Sequence, residues 1–138
     1  MEQVSPNSDV IYVEIGFPFP FENRDVVTHR VYVNNKKNPE LVEKYGLPKK
    51  DNEYAIILSK SVTRVDKGAI KGKTRGDVKM NYWMFEQDAT DPKTFRISFC
   101  NATDMKLSVS SSMKGTIAKN TSKDISEKFA ETYKKVYK

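Results

Sequence analysis

The sequence predicts an α+β fold in which an antiparallel sheet precedes a long C-terminal helix. Three observations carry this reading. Short segments rich in Val, Ile, Tyr, Phe and Thr are separated by clusters of Pro, Gly, Asn and Asp, the composition of strands and turns. Two of these segments flank Asp88-Ala89-Thr90-Asp91-Pro92, a strong turn sequence, so they read as a hairpin. The last eighteen residues place apolar side chains on one stripe of a helix. At 138 residues, with 38% hydrophobic and 30% charged, the chain suits one domain with one core.

Taken in order, residues 1–8 read as a flexible leader and residues 9–138 as the folded domain. Asp9 to Ile15 is the first strand. Phe17-Pro18-Phe19-Pro20-Phe21 cannot be helical, because each proline fixes its own φ and pushes the residue before it into extended geometry; its three phenylalanines call for an apolar neighbour. Asn23-Arg24-Asp25 reads as a charged turn at a strand entrance, and Val26 to Asn34 as the strand. On that strand Val26, Thr28, Arg30 and Tyr32 share one face, and Val27, His29, Val31 and Val33 the other. Pro39 to Tyr45 fits a short helix capped by Asn38, and Glu53 to Val62 a third strand. Thr63 to Gly76 reads as a mobile loop or irregular strand, Asp77 to Gln87 and Thr94 to Thr103 as the hairpin, and Lys106 to Ser110 as a last short strand. Thr121 or Ser122 can cap the final helix with Asp124 in its first turn, and its stripe is Ile125, Phe129, Ala130, Tyr133, Val136 and Tyr137.

Composition excludes several function classes. One histidine, His29, and one cysteine, Cys100, cannot build a His/Cys metal site or a nucleophile–base pair, and no spacing of carboxylates defines an acid/base couple. The expectation is a non-enzyme with no catalytic residue, no metal and no cofactor. A lone cysteine excludes an internal disulfide, and Cys100 reads as a small hydrophobe on a strand. Glycines 68, 72 and 76 match no phosphate-binding fingerprint. No apolar run approaches a membrane span and no signal peptide is visible, so a cytoplasmic location is expected, where the sequons at Asn101 and Asn120 are incidental. The formal net charge of +6 favours anionic partners, but the lysines are dispersed, as on a solvated surface.

Several segments resemble the START (steroidogenic-acute-regulatory-related lipid transfer) family, and within it the phosphatidylcholine-transfer-like members. The matching residues are the Pro-Phe-Pro…Asn-Arg-Asp element (Pro18, Pro20, Asn23, Arg24 and Asp25) after strand Asp9–Glu14, and Arg30 six residues beyond Arg24. Ala55 to Val62 and Arg75-Gly76-Asp77-Val78-Lys79-Met80 are similar to the next family strands. Met113-Lys114-Gly115-Thr116-Ile117-Ala118-Lys119 is similar to the family's Asp-Leu-Lys-Gly-x-Ile-Pro-Lys, with Ser112 in place of the Asp and Ala118 in place of the Pro. The match covers the C-terminal two-thirds of the family, without its N-terminal helix and first strands.

The resemblance implies a curved sheet gripping the C-terminal helix, with a lipid tunnel beneath that helix. It implies non-enzymatic binding, and transfer between membranes, of a single lipid: a phospholipid such as phosphatidylcholine first, a sterol second. The residues alone favour an outward-facing Arg30, since an unpaired buried guanidinium is costly. The resemblance instead turns it into the tunnel, with Glu14 the partner suggested by position. Tyr32, Tyr82, Met84, Phe95, Ile97, Phe99, Phe129 and Tyr133 are the expected lining. Arg24 and Asp25 are read as structural, through a salt bridge or turn-fixing hydrogen bonds. Transient contact with a membrane surface, no nucleic acid, and self-association through an exposed sheet edge complete the expected partners. The competing reading is a basic protein- or nucleic-acid-interaction module on the same scaffold with no cavity, which would place aromatics outward beside lysines.

Overall fold

β3 (Asn23–Asn34) is the strand on which the sheet is assembled. In the computed structural model, which describes residues 1–17, 19–91 and 93–136 without the side chains of 121, 122, 133 and 136, β3 pairs antiparallel with β2 (Ser8–Ile15) on one side. On the other it pairs with β4 (Tyr54–Ser61) and, over its first three residues, in parallel with β5 (Lys73–Arg75). β6 (Asp77–Gln87) and β7 (Phe95–Asp104) complete the order β1-β2-β3-β4-β6-β7, with β1 (Glu2–Ser5) at the far edge. The seven-stranded sheet is curved and almost wholly antiparallel, so the α+β expectation holds.

Several boundaries differ from the sequence reading. Residues 2–5 are not a leader but an exposed edge strand closed against β2 by a tight hairpin, where the Ser5 and Ser8 hydroxyls are 2.7 Å apart. Four mostly polar residues carry too little periodicity to announce a strand. Asn23-Arg24-Asp25 is already strand, because β5 and β2 pair with it from both sides. The short helix α1 (Pro39–Lys44) lacks the Asn38 side-chain cap; that carboxamide instead accepts from the Asn34 amide at 3.3 Å. The 63–76 segment contains a 3-10 turn (Val65–Lys67) and β5.

The core lies on one face of the sheet. Val31, Val33, Tyr54 and Ile56 pack with Val42 of α1, and Leu41, Leu47, Leu58, Tyr82 and Met84 close around them. Tyr54 is 1% exposed, and its hydroxyl donates to the Pro48 carbonyl at 2.8 Å, so its one polar atom is satisfied. Gly76 allows close approach near the other end: a Cβ there would stand 3.1 Å from the Val26 side chain and 3.2 Å from Met105 Sδ.

The chain divides into two units, Met1–Lys106 and Leu107–Lys138. In the second, α2 (Ser111–Val136) starts ten residues before the expected cap. Ser110 caps it, its hydroxyl accepting from the Met113 amide at 3.3 Å and its carbonyl from the Lys114 amide at 3.0 Å. Ala118 explains the early start, since alanine favours a helix that the family's proline at that position would break. Asp124 is therefore mid-helix, Thr121 and Ser122 are internal, and residues 107–110 are not a strand. Lys106, at φ 53, breaks the extended run where that strand was expected to begin. Of the stripe, Ile125 and Phe129 are half-buried and Ala130 is exposed, whereas the side chains of Tyr133, Val136 and Tyr137 lie outside the described residues.

Candidate functional site

Strand register sorts the expected site residues between two faces. Residues directly opposite one another point to the same side of a sheet. Asp9, Arg30 and Ser59 stand opposite in turn, followed by Asn81 and Asn101, making one polar row across five strands. The next row on this face, roughly 7 Å along the strands, is Tyr32, Ile57, Trp83 and Phe99. After it come Ala55, Phe85 and Ile97, and then Phe95. All these side chains lie opposite the face that packs on α1. Trp83 and Phe99 stack with ring centroids 5.1 Å apart.

Of the expected lining, Arg30, Tyr32, Phe95, Ile97 and Phe99 are thus brought to one face. Tyr82 and Met84 are not: they alternate to the other side and pack on the core. Trp83 and Phe85 take the places assigned to them. The signal was available in the hairpin, because a turn pairing Gln87 with Phe95 places Phe85 opposite Ile97 and Trp83 opposite Phe99. Phe129 belongs to α2, the Tyr133 side chain is outside the described residues, and so is Pro18.

Arg30 faces the half-buried polar row with its partner in place. Its Nε donates to Asp9 Oδ1 at 2.8 Å and its Nη2 to Asp9 Oδ2 at 2.6 Å, a bidentate pair that register dictates, since Asp9 is directly opposite. Glu14 is therefore not the partner; it lies opposite Asp25 and pairs with Lys73. The Tyr32 hydroxyl also donates to Asp9 Oδ2, at 3.0 Å, and the Arg30 guanidinium sits 5.4 Å from the Tyr32 ring centre. Arg30, and to a lesser degree the tyrosine hydroxyl, hold the Asp9 carboxyl below its usual range against the opposing effect of burial. Burial first, and then the bond to Asp9, push the Tyr32 hydroxyl up. Beside this ion pair, the Ser59 hydroxyl and Asn81 carboxamide make no hydrogen bond to protein among the described residues. The row therefore offers neutral donors and acceptors next to a charge already compensated.

Arg24 and Asp25 are structural, but not as a pair with each other, because adjacent strand residues point to opposite faces. Asp25, 1% exposed, accepts from Arg75 Nε at 2.7 Å and Nη2 at 2.9 Å, and Arg75 holds its carboxyl below the usual range. Arg75 also donates to the Lys67 and Gly68 carbonyls, fixing the 63–76 segment. Arg24, 5% exposed, donates to the carbonyls of Glu22 and Met105, and its guanidinium lies 5.0 Å from the Phe17 ring centre. Asn23 accepts from the Phe17 amide at 3.2 Å and donates to Glu14. The knuckle is thus pinned at its base. At its tip Phe19, ahead of a cis bond to Pro20, is 96% exposed, so the expected apolar neighbour is absent within the described residues. Two open clefts, of about 410 and 550 Å³, are lined partly by Lys36, Lys49 and Asp51 and contain neither Arg30 nor the aromatic rows.

No family model matches the chain, and no curated protein matches its sequence. Solved structures do. The chain is similar to human STARD10, with TM-score 0.71 and 20% identity over 99% of this chain and 51% of that one. It is also similar to the lipid transfer and protein localization domain of human StarD13 (DLC2), with TM-score 0.58 and 15% identity over 78% of this chain and 46% of that one. The chain spans about half the length of these two structures. Its fold is START-like, of the helix-grip class.

Proposed function

We propose that this chain binds a single lipid on the face bearing Arg30 and carries it between membranes without chemical change. The observation that supports this most is the division of that face into a polar row at Arg30 and rows of Trp83, Phe99, Phe85 and Ile97 containing no lysine. An amphipathic ligand needs that arrangement, whereas a nucleic-acid surface would set aromatics among cations. Alkyl chains exchange bilayer for protein at little net cost, so a few polar groups decide selectivity. We assign that role to Arg30, Ser59 and Asn81, with Tyr32, Trp83, Phe85, Phe95, Ile97 and Phe99 as apolar lining. A phospholipid such as phosphatidylcholine ranks first and a sterol second, both without net headgroup charge, in keeping with the internal neutralisation of Arg30 by Asp9. The START-like fold supports the same reading, as does the likeness to StarD13, whose matching region is a lipid transfer and protein localization domain.

We place the protein in the cytoplasm in transient contact with membranes; among the described residues no helix is long and apolar enough to cross one. Pairing of the β1 or β7 edge with a second copy belongs to the same proposal. The test is to incubate the purified chain with mixed vesicles, re-isolate it and identify bound lipid by mass spectrometry. One lipid per chain is expected, and Arg30→Leu should change which lipids are retained. Repeated absence of stoichiometric lipid removes the carrier reading, and an unchanged lipid profile in Arg30→Leu removes the role given to that arginine.

A further inference from the structure

The sheet ends in two unlike edges. β1 is four exposed residues, short enough to offer a neighbour little to pair with. β7 runs for ten residues, pairs with β6 on one side, and contains no proline, glycine or lysine to turn another strand away. Among the described residues its outer edge has no strand beside it. The hairpin decides which groups that edge presents. The Asp88 amide donates to the Thr94 carbonyl at 3.1 Å, and the β6–β7 register then runs unshifted to Asn101. Backbone groups alternate along a strand, so the even-numbered residues of β7 bond to β6, while the amides and carbonyls of Ile97, Phe99 and Asn101 point outward.

The two ends of that edge carry opposite charges on one face. Arg96 and Asp104 both lie on the α1 side, since residues of equal parity share a face and Arg96 stands opposite Glu86. Arg96 is exposed and takes part in no ion pair among the described residues. Asp104 pairs with Lys106, two residues on, and both side chains keep about half their exposure. When β7 is laid antiparallel on a second β7 with Cys100 opposite Cys100, Arg96 of each copy meets Asp104 of the other. In the same register outward residues meet outward residues, Phe99 with Asn101 and Ile97 with Thr103. The strand is therefore complementary to itself, which is what a two-fold interface requires.

We infer that the β7 edges of two copies pair antiparallel about Cys100, joining the two sheets into one and completing the lipid face of each copy. This rests on the carrier reading for its purpose, and it commits the edge pairing to β7, to one register and to a second copy of this chain. Opposed residues of a sheet point the same way, so both Arg30 faces lie on one side. The polar row Asp9, Arg30, Ser59, Asn81 and Asn101 then continues into Phe99 of the second copy. That ring closes the flank which β7 leaves open, so each site is incomplete without its neighbour.

The test is light scattering of the full chain, followed by oxidation of the reduced protein with copper(II) phenanthroline. A dimer that dissociates on dilution is expected. At an opposed pair without hydrogen bonds the Cα atoms stand about 4.5 Å apart, within disulfide reach. Cys100 of one copy should therefore join Cys100 of the other, the two thiols releasing two protons and giving two electrons to copper. Arg96→Glu or Asp104→Arg alone should weaken the dimer about tenfold by setting like charges opposite one another. The two together restore opposite charges and should return the dimer to about the parent affinity. Both positions are exposed, and circular dichroism of each variant separates misfolding from lost pairing. A monomer at every concentration, a dimer that does not cross-link through Cys100, or a double variant no better than the single ones overturns the inference. So does a monomer whose β7 amides resist hydrogen exchange, since another segment then holds the edge. Retained lipid is measured on the same samples. A dimer that passes these tests and never retains lipid defeats the carrier reading alone, and a monomer that retains one lipid per chain defeats the dimer alone.

Discussion

The two faces of the sheet are built from the same strands and the same kinds of residue, yet they are closed differently. On the α1 side, Val31, Val33, Ile56 and Tyr54 are almost fully buried, and the one phenol among them has its hydrogen bond. On the Arg30 side, Trp83, Phe85, Ile97 and Phe99 are only half-buried, and Ser59 and Asn81 hold hydrogen-bonding capacity that no described protein group uses. A protein that needed only stability would complete both faces. The difference separates a face that holds the molecule together from the partly open one to which we assign the lipid.

The largest effect should come from the closed face. Tyr54→Ala removes a fully buried ring and leaves the Pro48 carbonyl unpaired, and should cost about 4 kcal/mol in denaturant unfolding. A loss below ~1 kcal/mol would mean that this face is not the core. Next comes Asp25→Asn, about 2 kcal/mol, since it strands Arg75, whose side chain keeps 32% exposure and so partial solvation. The sign with pH is fixed. Asp25 is held below its ordinary 3.8, so the ion pair is fully present above that value and is lost as pH falls through the lower folded value. The gap between parent and Asn variant should therefore start to narrow below about pH 4 and close only as pH passes the lower folded value; a constant gap down to pH 2 would contradict the assignment.

The smallest change in stability makes the sharpest comparison. Met84→Ala and Trp83→Ala are neighbours in sequence on opposite faces. Met84→Ala should cost about 1–2 kcal/mol and leave retained lipid unchanged. Trp83→Ala should cut lipid retention by about tenfold. If both variants lose lipid equally, the distinction between the faces is lost.

That pair also marks what the sequence could and could not reveal. The hairpin, the long strands and the helix were legible, because alternation and turn chemistry are local. Tyr82-Trp83-Met84-Phe85 is an unbroken apolar run with no alternation, so its inward and outward residues can be assigned only through pairing across the turn. The partner of Arg30 was hidden for the same reason. Asp9 and Glu14 are both acidic residues of β2, and only the β2–β3 register selects Asp9. The early start of α2 was visible in principle at Ala118, but the resemblance to a proline-bearing motif outweighed helix propensity there.

Arg24 has a consequence for how this chain reaches its fold. The sheet is mainly a meander in which each strand pairs with one near it in sequence, so most pairings close loops far shorter than the chain. The bond from Arg24 to the Met105 carbonyl instead joins residues 81 apart in sequence. Closing that loop costs about 2 kcal/mol more chain entropy than closing the β6–β7 turn, and it becomes favourable only after the intervening strands are in register. We predict that Arg24 acts after the rate-limiting step, which folding and unfolding rates of Arg24→Ala would check. Its loss should speed unfolding and leave the folding rate nearly unchanged, making it a determinant of how long the native state persists and not of how quickly it forms.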